Sequence, residues 1–203
     1  MNKLIEKMYD TFEVGEPIFP KEILCLFKLS KQIIYLYLKE GLLLNQIKKR
    51  DKYYYIPKYE KVYGVEIDNQ PTYEAIITKK YLGKDKNIKG VYAGRTLENK
   101  LNISEQVPFT EEIVSNEVKE AMKKTKINGV NVILKKPYTK ITKDNYKEYI
   151  LLQLLNDIDK GMLEERKDIV KMYVKKSKLS KDKAKRISKS FPMKARKRLE
   201  EVL

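Results

Sequence analysis

The sequence predicts an α+β fold, with helices and short antiparallel strands segregated along the chain, and three observations lead there. Runs such as NYKEYILLQLLNDI, residues 145–158, place apolar side chains at the spacing of a helix face. Asn128-Gly129 lies within a β-prone stretch from Lys124 to Leu134, the strongest short signal for a hairpin. The 203 residues, 42% of them hydrophobic, suffice for two small cores, and the chain changes character beyond Pro57. We therefore expect an N-terminal unit over residues 1–60, a connector from Lys58 to Asn69, and a C-terminal unit over 71–203 whose last part, 161–203, is helical and basic.

In the first unit, Asn2 or Lys3 to Thr11 forms a helix with Leu4, Ile5, Met8 and Tyr9 along one side. Pro17 and Pro20 interrupt it. Pro20 then occupies the first turn of a second helix, KEILCLFK, whose buried stripe is Ile23, Leu24 and Phe27. Leu29-Ser30 turns the chain into a third helix, in which Ser30 is the N-cap and Gly41 stands where a left-handed C-terminal residue belongs. Ile34, Tyr37 and Leu38 face the core, leaving Ser30, Lys31, Gln32, Tyr35 and Lys39 outward. Leu42 to Ile47 and Tyr53 to Ile56 read as strands around a tip that carries Lys48, Lys49, Arg50 and Lys52. Helix, helix, turn, helix and hairpin is the order of a winged helix-turn-helix, whose third helix enters the major groove while the wing meets the backbone. The nine outward residues are then the DNA contacts: Gln32 suits adenine, Lys31 and Lys39 suit guanine or phosphate, and the wing cations position the module. The same module also serves as a protein docking unit.

In the second unit, Pro71 opens a helix YEAIITKKYL that Gly83 ends, and a short helix follows around Thr96 to Leu101. Glu112 to Ser115 is β-prone and precedes the Asn128-Gly129 hairpin. Asp144 or Thr142 caps the next helix, strongly amphipathic, with Tyr149, Leu152, Leu155 and Ile158 on its core face. Beyond residue 160, short helices over Arg166 to Lys176, Lys181 to Ser190 and Pro192 to Val202 are expected, with Ser180 as N-cap and Pro192 in a first turn. Their apolar members, among them Ile169, Ile187, Phe191 and Leu199, predict a folded bundle.

The net charge of +16 attracts polyanions, and it is unevenly spread. Residues 1–60 hold 11 basic against 8 acidic side chains, whereas 161–203 hold 15 against 6. Lys181, Lys183, Lys185, Arg186, Lys189, Lys194, Arg196, Lys197 and Arg198 make a cationic surface there, a second contact to DNA or RNA. The chain has no histidine, which removes Ser-His-Asp and Cys-His nucleophiles and the common zinc motifs. It also has neither a phosphate-binding GxxxxGK[ST] loop nor a dinucleotide-binding GxGxxG loop. Glu111 and Glu112, like Glu164 and Glu165, are adjacent, so their side chains diverge and read as solvated charges. No catalytic residue, metal or cofactor is expected, and the chain is read as not an enzyme. Cys25, the single cysteine, sits in the apolar run ILCLF and is expected to be buried. With no apolar run long enough to span a membrane and acidic residues at the start, a cytoplasmic location is expected.

Several segments together resemble a known family. They are the third helix with its Gly41-Leu42-Leu43 exit, Tyr54-Tyr55-Ile56-Pro57 followed by Tyr63-Gly64, Gly90-Val91-Tyr92-Ala93-Gly94 leading to Leu101, and Gln106-Val107-Pro108. Asn116, the run Ile133-Leu134-Lys135-Lys136-Pro137, and Ile141-Thr142 with Asn145 complete the match over about residues 1–160. Their order resembles the AbiEi-like antitoxins of type IV, AbiE-type toxin–antitoxin systems. The resemblance implies a transcriptional regulator in phage defence, an autorepressor on double-stranded operator DNA, with a C-terminal antitoxin domain that counteracts a nucleotidyltransferase-like toxin without needing a stable complex. The wing departs from the family, since Arg50-Asp51-Lys52 stands where a Gly-rich turn is frequent. The alternative is an interaction protein that binds RNA or the toxin directly through its basic C-terminal domain.

Overall fold

The computed structural model describes residues 2–203 except 28 and 69. Lys28, last in the predicted second helix, and Asn69, the end of the predicted connector, lie outside the described residues, as does Met1. The architecture is α+β, in two compact units, Met1–Ile76 and Ile77–Leu203.

The first unit is built on three helices, α1 (Lys3–Thr11), α2 (Pro20–Leu26) and α3 (Lys31–Leu43). Asn2 caps α1 by accepting from the Ile5 amide, and Ser30 caps α3 by accepting from Ile33. Leu4, Ile5, Met8, Ile23, Ile34 and Leu38 form the core with Ile18, Ile47, Tyr54 and Ile56. Tyr9 leaves the predicted stripe, 41% exposed, and its hydroxyl donates to the Gln46 carbonyl. Cys25 is exposed too, because the buried stripe of α2 turns on Ile23 and places position 25 on the opposite side.

Gly41 does not end α3. A Cβ there would lie 2.6 Å from Ile5 Cδ1, so the glycine admits α1 against α3, and the left-handed residue is Asn45, at φ 53°. The helix therefore takes Leu42 and Leu43 away from the predicted strand. Strand β1 is Lys48–Arg50, paired antiparallel with β2 (Tyr53–Tyr55) around a two-residue Asp51-Lys52 turn. Ile18 exchanges both backbone hydrogen bonds with Tyr54, covering the other edge of β2. The predicted connector is a second hairpin, β3 (Tyr59–Val62) and β4 (Val65–Asp68), turning at Tyr63-Gly64 with both φ positive. Its β-branched and aromatic residues, Tyr59, Val62, Val65 and Ile67, suit strands, and the first unit accordingly extends past residue 60.

The helix α4 (Tyr73–Ile77) continues as a π-helical turn, Thr78–Leu82, that stops at Gly83 with φ 74°. A four-stranded sheet follows in the order β5 (Gly90–Tyr92), β6 (Thr110–Ser115), β8 (Val130–Lys135), β7 (Met122–Ile127). It is antiparallel except for β6 and β8, which run parallel and correct the all-antiparallel expectation. The chain can make that parallel pair because β7 intervenes in sequence and returns it to the same direction. Asn128 and Gly129 take φ 49° and 85° as a primed hairpin turn requires. Gly129→Val should cost about 1–3 kcal/mol, read from the urea midpoint, since a β-branched residue resists positive φ. A change below about 0.5 kcal/mol contradicts the turn assignment.

Helix α5 (Gly94–Lys100) starts two residues earlier than expected, and α6 (Tyr146–Asp157) fills the centre of the unit. Burial of α6 is not one-sided: Glu148, Tyr149 and all of Leu151 to Leu155 are buried. Helices α7 (Lys160–Glu165), α8 (Lys167–Ser177), α9 (Lys181–Ser188) and α10 (Met193–Val202) complete the unit, one more than the three named from sequence, with α9 and α10 packed on α6. Glu148, one turn before Leu152 and two before Leu155 on the same core face, is a buried charge, and it accepts from the Ser180 amide at the start of α9. The N-cap position of α6 belongs to Asn145, whose side chain turns back to Thr142 N and Lys140 O, rather than to Asp144 or Thr142. Asn116 has a structural role: its amide accepts from Ile141 N at 3.0 Å and donates to Ile141 O at 2.7 Å, as a strand partner would. Asn116→Ala should cost about 1–3 kcal/mol in equilibrium unfolding, the penalty for unsatisfied buried backbone groups. An unchanged midpoint would refute that role.

Candidate nucleic-acid interface

The outward side of α3 is set by its buried one. With Ile34, Leu38 and Gly41 packed inward, Gln32, Leu36, Lys39 and Leu43 recur every three or four residues on the opposite face, all of them outward. Tyr35 flanks this row at 42% exposure, and Tyr37 is half-buried. Lys31, Gln32, Tyr35 and Lys39 thus stand where the sequence placed them. Ser30 is exposed, yet its hydroxyl is engaged in the cap of the helix. Leu36 and Leu43, 63% and 75% exposed, were missed. The row of positions 32, 36, 39 and 43 was the signal that could have found them.

The hairpin cations differ from one another. Because β1 begins at Lys48, the residues Lys48, Lys49 and Arg50 lie on a strand rather than at a loop tip. Lys48 is drawn to the second hairpin, its ammonium 2.8 Å from Asp68 Oδ2 and over the Tyr59 ring. Arg50 and Lys52 are exposed and make no ion pair among the described residues. Lys49 lies over the Tyr54 ring, at 5.7 Å from its centroid. Burial, then the nearby Tyr35 hydroxyl, pushes the Tyr54 hydroxyl up, while Lys31 sits over the Tyr35 ring. Lys31 over the exposed Tyr35 and Lys49 over the buried Tyr54 therefore set one cation of α3 and one of the hairpin beside two tyrosines whose hydroxyls lie near each other.

Asp68 holds the two hairpins together. Its Oδ2 accepts from Lys48 Nζ and from Tyr55 Oη, both at 2.8 Å. Burial, reinforced by that bond, pushes the Tyr55 hydroxyl from 10.0 up to about 12, and the same carboxylate raises the Lys48 ammonium. Both groups bind their protons more tightly folded than unfolded, so the stability they supply is whole below about pH 10 and disappears as pH rises through the folded values. The urea midpoint of the first unit should fall between about pH 10 and about pH 12, and Tyr55→Phe should flatten that fall. A parent midpoint constant across the window refutes the linkage.

The nine cations predicted on the C-terminal surface divide into two sets. Arg198 donates to the carbonyls of Leu155 and Ile158, at 2.9 and 2.7 Å, and Arg196 donates to those of Ser188, Phe191 and Lys189. Lys183 donates to the Asp144 carbonyl and Lys181 to that of Leu203. These four tie helices together, where free carbonyls at the helix ends take charged donors. Lys185, Arg186, Lys189, Lys194 and Lys197 are exposed on α9, α10 and the turn between them. Among the described residues no helix is long and apolar enough to cross a membrane, and no group of three acidic, cysteine or histidine side chains could hold a metal ion. Comparison with protein-family models and with curated proteins finds no match for this chain.

Proposed function

We propose that the chain is a winged helix-turn-helix antitoxin of the type IV class, an autorepressor that binds double-stranded operator DNA and counteracts a nucleotidyltransferase-like toxin. The observation that supports DNA binding is that Lys31 over Tyr35, at the flank of the outward row of α3, and Lys49 over the buried Tyr54, on the basic hairpin, lie to either side of two tyrosines with nearby hydroxyls. Gln32 and Lys39 are positioned to reach base edges, Leu36 a thymine methyl, and Lys49, Arg50 and Lys52 phosphates. Lys48, paired with Asp68, orients the hairpin instead. Neutralisation of the toxin rests on the family resemblance and on the exposed cations Lys185, Arg186, Lys189, Lys194 and Lys197.

One experiment tests the first half. Fluorescence anisotropy with DNA from upstream of the chain's own coding sequence should show binding tighter than to scrambled DNA, weakening linearly on a log scale with salt. Equal affinity for both sequences overturns the operator reading. Charge reversal of the five exposed C-terminal cations should leave the helical signal intact and reduce protection against the toxin. Full protection by that variant overturns the surface assignment. A second reading, in which α3 docks a protein, is favoured by the exposure of Ile33, Leu36, Leu43 and Leu44. It predicts no sequence preference in the same titration.

A further inference from the structure

The second unit contains a cavity of about 500 Å³ that neither DNA recognition nor the basic C-terminal face uses. It lies where α5, the loop at Ser104 and Gln106, β6, β8 and the junction of α6 with α7 converge. Its sign is opposite to that of the chain: Glu98, Glu112, Asp157 and Asp159 face Arg95 and Lys135, in a protein of charge +16. Glu112 is not the solvated charge its sequence context implied. It is paired with Lys135, and Gly94 makes room for it: φ there is +53°, and a Cβ would collide with the Glu112 carboxylate. The glycine and Gln106 belong to sequence motifs with no other role so far, and here they line one site.

The carboxyls are not equivalent. Asp157 is locked by three donors, the Gly94 amide and Gln153 Nε2 on Oδ2, both at 2.8 Å, and Asn156 Nδ2 on Oδ1. Asp159 accepts from Gly161 N at the start of α7. Glu98 is half-buried, and its carboxyl makes no hydrogen bond or ion pair among the described residues, although its backbone carbonyl accepts from Ile103 N and Ser104 N. Burial raises its carboxyl above the usual range, the charges of Asp157, Glu112 and Asp159 add to this, and Arg95 opposes it. A cation seated beside Glu98 would relieve that repulsion, whereas a phosphate would meet four carboxyls.

Size and donor geometry narrow the cation. No three acidic groups among the described residues converge tightly enough for a metal ion, and the volume falls in the range of about 300–1,000 Å³ that holds organic ligands. A guanidinium offers five N–H donors in one plane and pairs with carboxylates two bonds at a time. We propose that this cavity binds a guanidinium group, carried by a free small molecule or by an arginine side chain of a partner protein. The loop that supplies Gln106 also exposes Val107 and Phe109, 84% and 88% accessible, which only the larger ligand would cover. The site is independent of DNA binding.

The test is a titration of the ¹⁵N-labelled full chain with agmatine and, separately, with a capped Leu-Arg-Leu peptide, followed by amide chemical shifts. Saturable shifts at Gly94, Glu98 and Gln106 are expected. Glu98→Gln should weaken binding about tenfold by removing a charge-assisted bond, and Arg95→Gln should tighten it by removing a competing cation. Tighter binding of the peptide, with shifts at Val107 and Phe109, identifies a protein side chain as the source; equal or tighter binding of agmatine identifies a free ligand. The proposal is overturned by the absence of saturable shifts with both probes, by magnesium chloride or inorganic phosphate giving the same shifts at lower concentration, or by a folded Glu98→Gln protein that binds as tightly as the parent. Should that variant not fold, weaker or unchanged binding by Arg95→Gln overturns it instead.

Discussion

Replacing Leu152 by alanine is expected to destabilise the second unit by about 2–5 kcal/mol, the cost of lost transfer energy plus the cavity left behind. Leu152 is fully inaccessible in α6, which packs on α5, β5, α9 and α10, so no neighbour can relax into the space without moving another helix. Leu43→Ala is the control. It removes a leucine that is 75% exposed and should change stability by no more than about 0.5 kcal/mol. Urea unfolding followed by circular dichroism reads both. A cost at position 152 below about 1 kcal/mol would mean that α6 is not the centre of this core.

Substitutions in the first unit should separate positioning on DNA from reading it. Lys49→Ala, Arg50→Ala and Lys52→Ala together should weaken binding to every sequence and reduce the slope of log affinity against log salt by about 2 to 3, near 0.9 for each phosphate left unneutralised. Gln32→Ala with Lys39→Ala should leave most of that slope and cost about 1–3 kcal/mol of discrimination between operator and scrambled DNA. Lys48→Ala is different again. Its ammonium is engaged with Asp68, so the loss should appear in stability more than in the salt slope. If the hairpin triple variant keeps the parent's slope, the hairpin does not contact phosphates, and the docking reading of α3 takes its place.

Much of the local structure was legible in the chain. Ser30 and Ser180 cap their helices as their short hydroxyl side chains predict, and Asn128-Gly129 turns a hairpin because both residues tolerate positive φ. The misreadings around α3 share one cause. Gly41 looked like a helix terminator on local grounds, but its role is decided by Ile5, 36 positions away in sequence, which needs the space a Cβ would take. Leu42 and Leu43 then follow the helix, and the strand assigned to them moves to Lys48–Arg50. The second hairpin escaped notice because Tyr59 to Asp68 alternates apolar and charged residues only over Val65 to Asp68, while Glu60 and Lys61 stand side by side, a mixture shared by exposed strands and loops.

The candidate sites divide in the same way. Exposure of Lys31, Gln32, Tyr35 and Lys39 follows from helical period and one buried face, so it could be read from the chain alone, along with the α+β class and the basic balance of the C-terminal helices. Which charges are free is instead a property of the packed fold. Arg196 and Arg198 read as surface cations until the helix ends beside them supply carbonyls to bind, and Glu112 reads as solvated until Gly94 and Lys135 close around it. Period and capping act within a few residues and leave a local trace. Ion pairs, carbonyl clamps and cavities join residues far apart along the chain, and a charged side chain looks the same in sequence whether water or a partner surrounds it.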